Sequence, residues 1–200
     1  MRATKFLSPR PSPKGRGRAP GLETVKRGPS PNRNFSLPCS THRRRHSAST
    51  LLLGLGNDIM TDDAIGVRIA RAARARLADC KDIAVAESTE MGLALLDLVV
   101  GFDQVVVVDA IQTGRVPAGF LHEIDSNQLP GGATRSPHFV GLGEILALGR
   151  ELGLAVPKHV KIIAVEVQDP YTVGTQMTPA LEDALPGAVE RIVRLLADER

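Results

Sequence analysis

Gln104 to Asp109 reads QVVVVD, and four consecutive valines constrain the fold more than any other stretch of the chain. The run has no polar alternation, so neither face of the strand it forms can meet water. Such a strand belongs inside a parallel sheet covered by helices on both sides. Val105 to Val108 is therefore predicted to be central, and the run ends abruptly in a carboxylate, Asp109. A second apolar run, Leu51 to Leu53, opens the stretch LLLGLGNDIMTDDAIG. Gly54 and Gly56 stop it in a tight turn, and two adjacent carboxylates follow at the head of a long helix. Thr61 is predicted to be the N-cap, with Asp62 and Asp63 in the first turn, where the helix dipole favours negative charge. Complementing that dipole is role enough for Asp62.

A Gly-x-Gly turn after a strand suggests a dinucleotide fingerprint, but that motif needs a third Gly three places further on, and this chain has Ile59 there. The two acids also stand where a pyrophosphate would need bare N–H groups. Nucleotide binding is disfavoured on both counts.

The remaining periodicity alternates strands with helices. A helix from about Asp62 to Leu77 carries Ile65, Ile69, Ala73 and Leu77 four apart on one face. Ile83 to Glu87 is a short strand, Met91 to Val100 a helix burying Leu95, Leu96, Leu98 and Val99, and Gly119 to Ile124 an additional strand. Ser136 caps a helix with Pro137 at its first position, His138 in its first turn, and Leu142, Ile145, Leu146 and Leu152 on its apolar side. Lys161 to Val167 is a strand, and a last helix starting at Thr178 and Pro179 is kinked or restarted by Pro186 and Gly187. The pattern is that of an α/β protein with three layers and a parallel or mixed sheet.

The first 48 residues differ in kind. Residues 1–50 hold seven of the 14 prolines and 12 of the 25 Lys and Arg, with Glu23 the single acid. Such a segment buries too little apolar surface to fold. Residues 1–48 are thus expected to be a disordered basic arm or an unused upstream extension, and residues 49–200 the α/β domain. Residues 51–200 carry 13 basic and 21 acidic residues, a net charge of −8, so the basic balance of the whole chain describes the arm. Without aromatic interleaving beyond Phe6 and Phe35, the arm gives no basis for a nucleic-acid partner, and its prolines break the amphipathic helix of a transit peptide. No run of 18 apolar residues exists to span a membrane. Two cysteines, Cys39 and Cys80, make neither a disulfide framework nor a thiolate metal site, and a reducing cytoplasm fits.

Ligands of open α/β sheets bind beyond the carboxyl ends of the strands. Asp63 follows the first strand, Asp109 ends the valine strand, and His138 opens the helix predicted to pack after it. Two carboxylates and one imidazole offer oxygen and nitrogen donors suited to a borderline divalent cation such as nickel or zinc. Taken singly, each has a plainer use: an Asp at a strand end commonly caps a loop, and a His at a helix start commonly caps or packs.

Three motifs together, GLGNDIMTDDAIG (54–66), VVVVDA (105–110) and SPHFVG (136–141), resemble the hydrogenase maturation endopeptidases in order and spacing, across nearly all of residues 50–197. The resemblance implies an α/β sandwich around a five-stranded, mostly parallel, twisted sheet. It implies removal of a C-terminal extension from the precursor of a nickel-iron hydrogenase large subunit after nickel insertion, as an aspartic-type endopeptidase. By position, the family's metal-binding and catalytic trio falls on Asp63, Asp109 and His138. The nickel carried by the substrate, or another divalent cation in its stead, is then the recognition device, and no permanent cofactor is required. A monomer is expected. The chain departs from the family pattern at Ala64, where Gly is frequent, and at Glu87 and Ser88, where Asp followed by small residues is frequent. No His-Glu-x-x-His or Gly-x-Ser-x-Gly motif supplies a different peptidase chemistry. The same trio would also serve a non-proteolytic nickel chaperone or sensor.

Overall fold

The computed structural model describes residues 48–125 and 142–198. Five strands form one sheet: β1 (Thr50–Leu55), β2 (Ile83–Ser88), β3 (Gln104–Ile111), β4 (Leu121–Asp125) and β5 (His159–Glu166). Their spatial order is β2-β1-β3-β5-β4, which makes β3 central. The first four in that order run parallel, and β4 closes one edge antiparallel to β5. The helices are α1 (Ile65–Arg76), α2 (Ala94–Val99), α3 (Leu142–Glu151) and α4 (Pro179–Asp198), with a 3-10 turn at Thr61–Ala64 ahead of α1.

The valine run is buried as its composition demands. Val105 to Val108 are each at most 1% exposed, and burying one such side chain contributes about 1.5–3 kcal/mol. Alternation divides the sheet into two cores. Leu51, Leu53, Val105, Val107 and Ile162 pack with Leu95 and Leu96 of α2 and Ile145 and Leu146 of α3. Leu52, Val106, Val108 and Ile163 pack with Ile65, Ile69 and Ala73 of α1 and with Leu181 and Ile192 of α4. The result is the expected three-layer α/β architecture.

Several local expectations are corrected. β3 does not stop at Asp109 but continues to Ile111, because Asp109, Ala110 and Ile111 still pair with Ala164, Val165 and Glu166 of β5. The first helix does not begin at Asp62: the 3-10 turn intervenes. Its cap position is Met60, and the Thr61 hydroxyl donates instead to the carbonyls of Asp169 and Thr172. α2 is shorter than the apolar run suggested. Leu152 lies beyond the end of α3 and is 64% exposed. α4 runs through Pro186 as one helix. At the other end, Ala48 is buried in the α2–α3 core, and the Ser49 and Thr50 N–H groups donate to the Asp82 carbonyl. The rest of the arm lies outside the described residues.

Candidate active site

Two glycines bring the first carboxylate to the sheet. Gly56 follows β1 with φ +137°, and a Cβ there would stand 1.9 Å from the Asp63 carbonyl oxygen. A Cβ on Gly66 would stand 2.3 Å from the carbonyl oxygen of Leu55 and 2.4 Å from that of Val108. The 3-10 turn and the first turn of α1 thus lie directly on the backbones of β1 and β3. Asp63 is carried to the carboxyl end of β1, half-buried, with its N–H donating to Met60 at 2.8 Å.

Asp109 comes to the same edge along the neighbouring strand. The last residue pair of β1 and β3 is Gly54 with Val108, and Asp109 is the next residue on. Alternation from Val105 and Val107 directs its side chain toward the α2–α3 face. It is fully buried, and Oδ1 accepts the Ala110 N–H at 2.8 Å. One carboxylate thus follows the end of β1, and the other stands on β3 one residue past the point where β1 stops pairing with it. His138 lies outside the described residues. In sequence it stands four places before Leu142, the start of the helix that packs on the Asp109 face. Among the described residues no group of three or more His, Cys, Asp or Glu could hold a metal ion, and the third donor of the predicted trio is not one of them.

Asp62 is not the solvated dipole-complementing acid that its place in the sequence suggests. It is 0% exposed. Oδ2 accepts the N–H groups of Gln168 at 3.1 Å and Asp169 at 2.8 Å and the Thr178 hydroxyl at 3.1 Å, while Oδ1 accepts the Thr178 N–H at 2.7 Å. An ionised carboxylate can be buried when four donors replace its water.

Two further acids fix the loops around the edge. Glu166, at the end of β5 and 1% exposed, accepts Thr113 N–H at 2.7 Å, Thr113 hydroxyl at 2.8 Å and Gly114 N–H at 2.8 Å, with His122 Nε2 3.0 Å away. Burial pushes its carboxyl up, but the Thr113 hydroxyl, Gly114, His122 and the Thr113 N–H outweigh burial and hold it below the usual carboxylate range. Glu87, at the end of β2, meets Arg71 and Arg74, both at 2.8 Å, and Arg71 also reaches Asp58 at 2.8 Å. Burial raises the Glu87 carboxyl and the two guanidiniums lower it further, so it stays an anion already committed to its cations.

The model of the hydrogenase maturation protease family matches residues 67–195 of this chain, more than half its length. The chain belongs to that family. The Hydrogenase 2 maturation protease of Escherichia coli is 30% identical over 152 residues, 74% of this chain and 90% of the relative. The hydrogenase expression/formation protein HupD of Thiocapsa roseopersicina is 29% identical over 156 residues, 76% of this chain and 70% of the relative. The solved structure of the hydrogenase maturating endopeptidase HybD from E. coli matches with a TM-score of 0.62 at 26% identity, covering 75% of this chain and 93% of that one. The fold and the endopeptidase activity implied by the three motifs are those of the family.

This maturation protease carries two further buried carboxylates, Asp62 and Glu166, neither singled out as buried from the sequence. Glu166 had a readable signal, since a glutamate interrupting the apolar run KIIAVEV cannot be buried without donors. Asp62 had none, because its partners lie more than a hundred residues downstream. No described helix of this protease is long and apolar enough to cross a membrane.

Proposed function

We propose that this maturation protease removes the C-terminal extension of a nickel-iron hydrogenase large-subunit precursor after nickel insertion, and that Asp63, Asp109 and His138 engage the nickel of that precursor. The metal is part of the substrate. The observation that supports the reading is that Asp63 follows β1 while Asp109 lies one residue beyond the last β1–β3 pair on the neighbouring strand, the first half-buried and the second fully buried. Two carboxylates with one imidazole form an oxygen and nitrogen donor set that fits a borderline divalent cation. Binding the metal centre would fix the adjoining peptide bond against the sheet edge, and positioning of this kind converts tight recognition into rate. A cation beside the scissile carbonyl or its attacking water supplies polarisation.

The test is direct. Nickel-loaded and nickel-free precursor are incubated with the protease, and the released peptide is identified by mass spectrometry. Release from the loaded precursor alone is expected. Equal cleavage of both forms contradicts recognition through nickel, and binding of the loaded precursor without cleavage identifies a chaperone or sensor.

A further inference from the structure

The geometry points to Asp62 as a positioning residue: its carboxylate locks the 3-10 turn, the loop after β5 and the head of α4 together, and so sets where the Asp63 carboxylate stands relative to Asp109. Its consequence for rate rests on the cleavage proposed above; the placement itself does not.

All four donors to Asp62 come from one downstream segment, Gln168 to Thr178. The contact is reciprocal. Asp62 N–H donates to the Asp169 carbonyl at 3.2 Å, Gly174 N–H donates to Ile59 at 3.0 Å, and Met60 bridges both Val173 and Gly174. The Thr61 hydroxyl adds its bonds to the carbonyls of Asp169 and Thr172. Residues 59–62 are therefore fastened along their length to residues 168–178. On the opposite side the Asp63 carbonyl abuts Gly56, where no Cβ could fit. Asp63 is thus wedged between the end of β1 and a hydrogen-bonded seam centred on its neighbour.

An aspartate is the side chain this position demands. Four donors converge on two oxygens, and an asparagine offers a single acceptor oxygen. Its NH2 group must face either the Gln168 and Asp169 N–H groups or the Thr178 N–H, donor against donor, so the isosteric change opens the seam at one end. A glutamate is one methylene too long for a site with no exposure. An acid serving only the helix dipole would be replaceable by any polar residue and would need none of these partners.

The experiment compares Asp62→Asn, Thr178→Val and Thr178→Ser in the full chain. Thr178→Val deletes the hydroxyl donor and keeps the backbone N–H; Thr178→Ser restores the donor. The substrate-free readout is NMR hydrogen exchange at the Asp63 amide, with the Val107 amide of the central strand as internal reference. Asp63 is expected to exchange at least tenfold faster in Asp62→Asn and several-fold faster in Thr178→Val, to recover in Thr178→Ser, and Val107 to stay unchanged. The kinetic readout is cleavage of nickel-loaded precursor well below each variant's Tm. A tenfold or larger fall in kcat with KM within twofold is expected for Asp62→Asn, and a smaller fall in kcat for Thr178→Val that Thr178→Ser reverses. Wild-type exchange at Asp63 in both Asp62→Asn and Thr178→Val overturns the positioning role, as does wild-type kcat in folded Asp62→Asn. If Asp62→Asn does not fold, the Thr178 pair decides alone. If the wild-type enzyme does not cleave, the proposed function fails and the exchange comparison still decides the role of Asp62.

Discussion

Asp62 Oδ1 accepts the backbone N–H of Thr178 at 2.7 Å, joining positions 116 residues apart in the chain. The contact links the turn that presents Asp63 to the start of the last helix. Its weight is thermodynamic as well as geometric, because the Asp62 carboxyl group is fully buried and the Thr178 N–H is part-buried.

Asp62→Ala is accordingly expected to cost about 3 kcal/mol, since it leaves four part-buried donor bonds without their acceptor, at up to roughly 1–3 kcal/mol each. An acid that only complemented a dipole would cost about 0.3–1 kcal/mol. For a domain of this size 3 kcal/mol lowers Tm by about 6 °C or more. Calorimetry separates the two figures. A fall under about 2 °C would return Asp62 to the weaker role.

Gly66→Ala tests the close approach of α1 to the sheet. The new Cβ would meet two backbone oxygens, of Leu55 and Val108, and neither strand can give way cheaply. A loss of about 1–3 kcal/mol is expected. Gly187→Ala is the matched control: it sits inside α4 with nothing within 4 Å of the added Cβ and should gain up to about 1 kcal/mol. Urea unfolding of the two variants should move in opposite directions.

Glu166 gives the pH dependence a sign. Its carboxyl is held below the ordinary carboxylate range by its donors, so the folded state keeps the anion that the unfolded chain would protonate first. The stability it contributes is present above the unfolded pKa and is lost as pH falls through the lower folded value. The Tm gap between wild type and Glu166→Gln should therefore be widest near neutrality and narrow below about pH 4.5. A gap that is constant from pH 7 to pH 3 would show that Glu166 is not acting as an anion.

The sheet was legible because unbroken apolar runs such as Val105 to Val108 and Leu51 to Leu53 admit one environment. Asp63 and Asp109 could be placed at the carboxyl edge for the same reason: each lies within a few positions of such a run. What was not legible depends on contacts distant in sequence. Thr61 and Asp62 carry strong local signals for a helix start, yet the segment after β5 takes both side chains for itself. Asp109 looked like a strand terminus because apolar patterning ends there, whereas backbone pairing with β5 carries β3 two residues further. Leu152 continues the apolar helical period beyond the end of α3, in a turn that has already left the core.

Composition sets the arm apart, and Ala48 is already buried in the α2–α3 core. A chain starting at Ala48 is expected to melt and to process precursor like the full chain. One starting at Leu51 loses the backbone bonds of Ser49 and Thr50 to Asp82 and should melt lower. Loss of activity in the chain starting at Ala48 would assign the arm a role in processing.

The proposed engagement of the substrate's nickel requires His138 as well as the two carboxylates. The deciding measurement is peptide release from nickel-loaded precursor by His138→Ala, alongside Asp63→Ala and Asp109→Ala, each with its melting curve. Cleavage should be abolished in all three, and His138→Ala should melt within a few degrees of wild type. Normal cleavage by folded His138→Ala would contradict the trio.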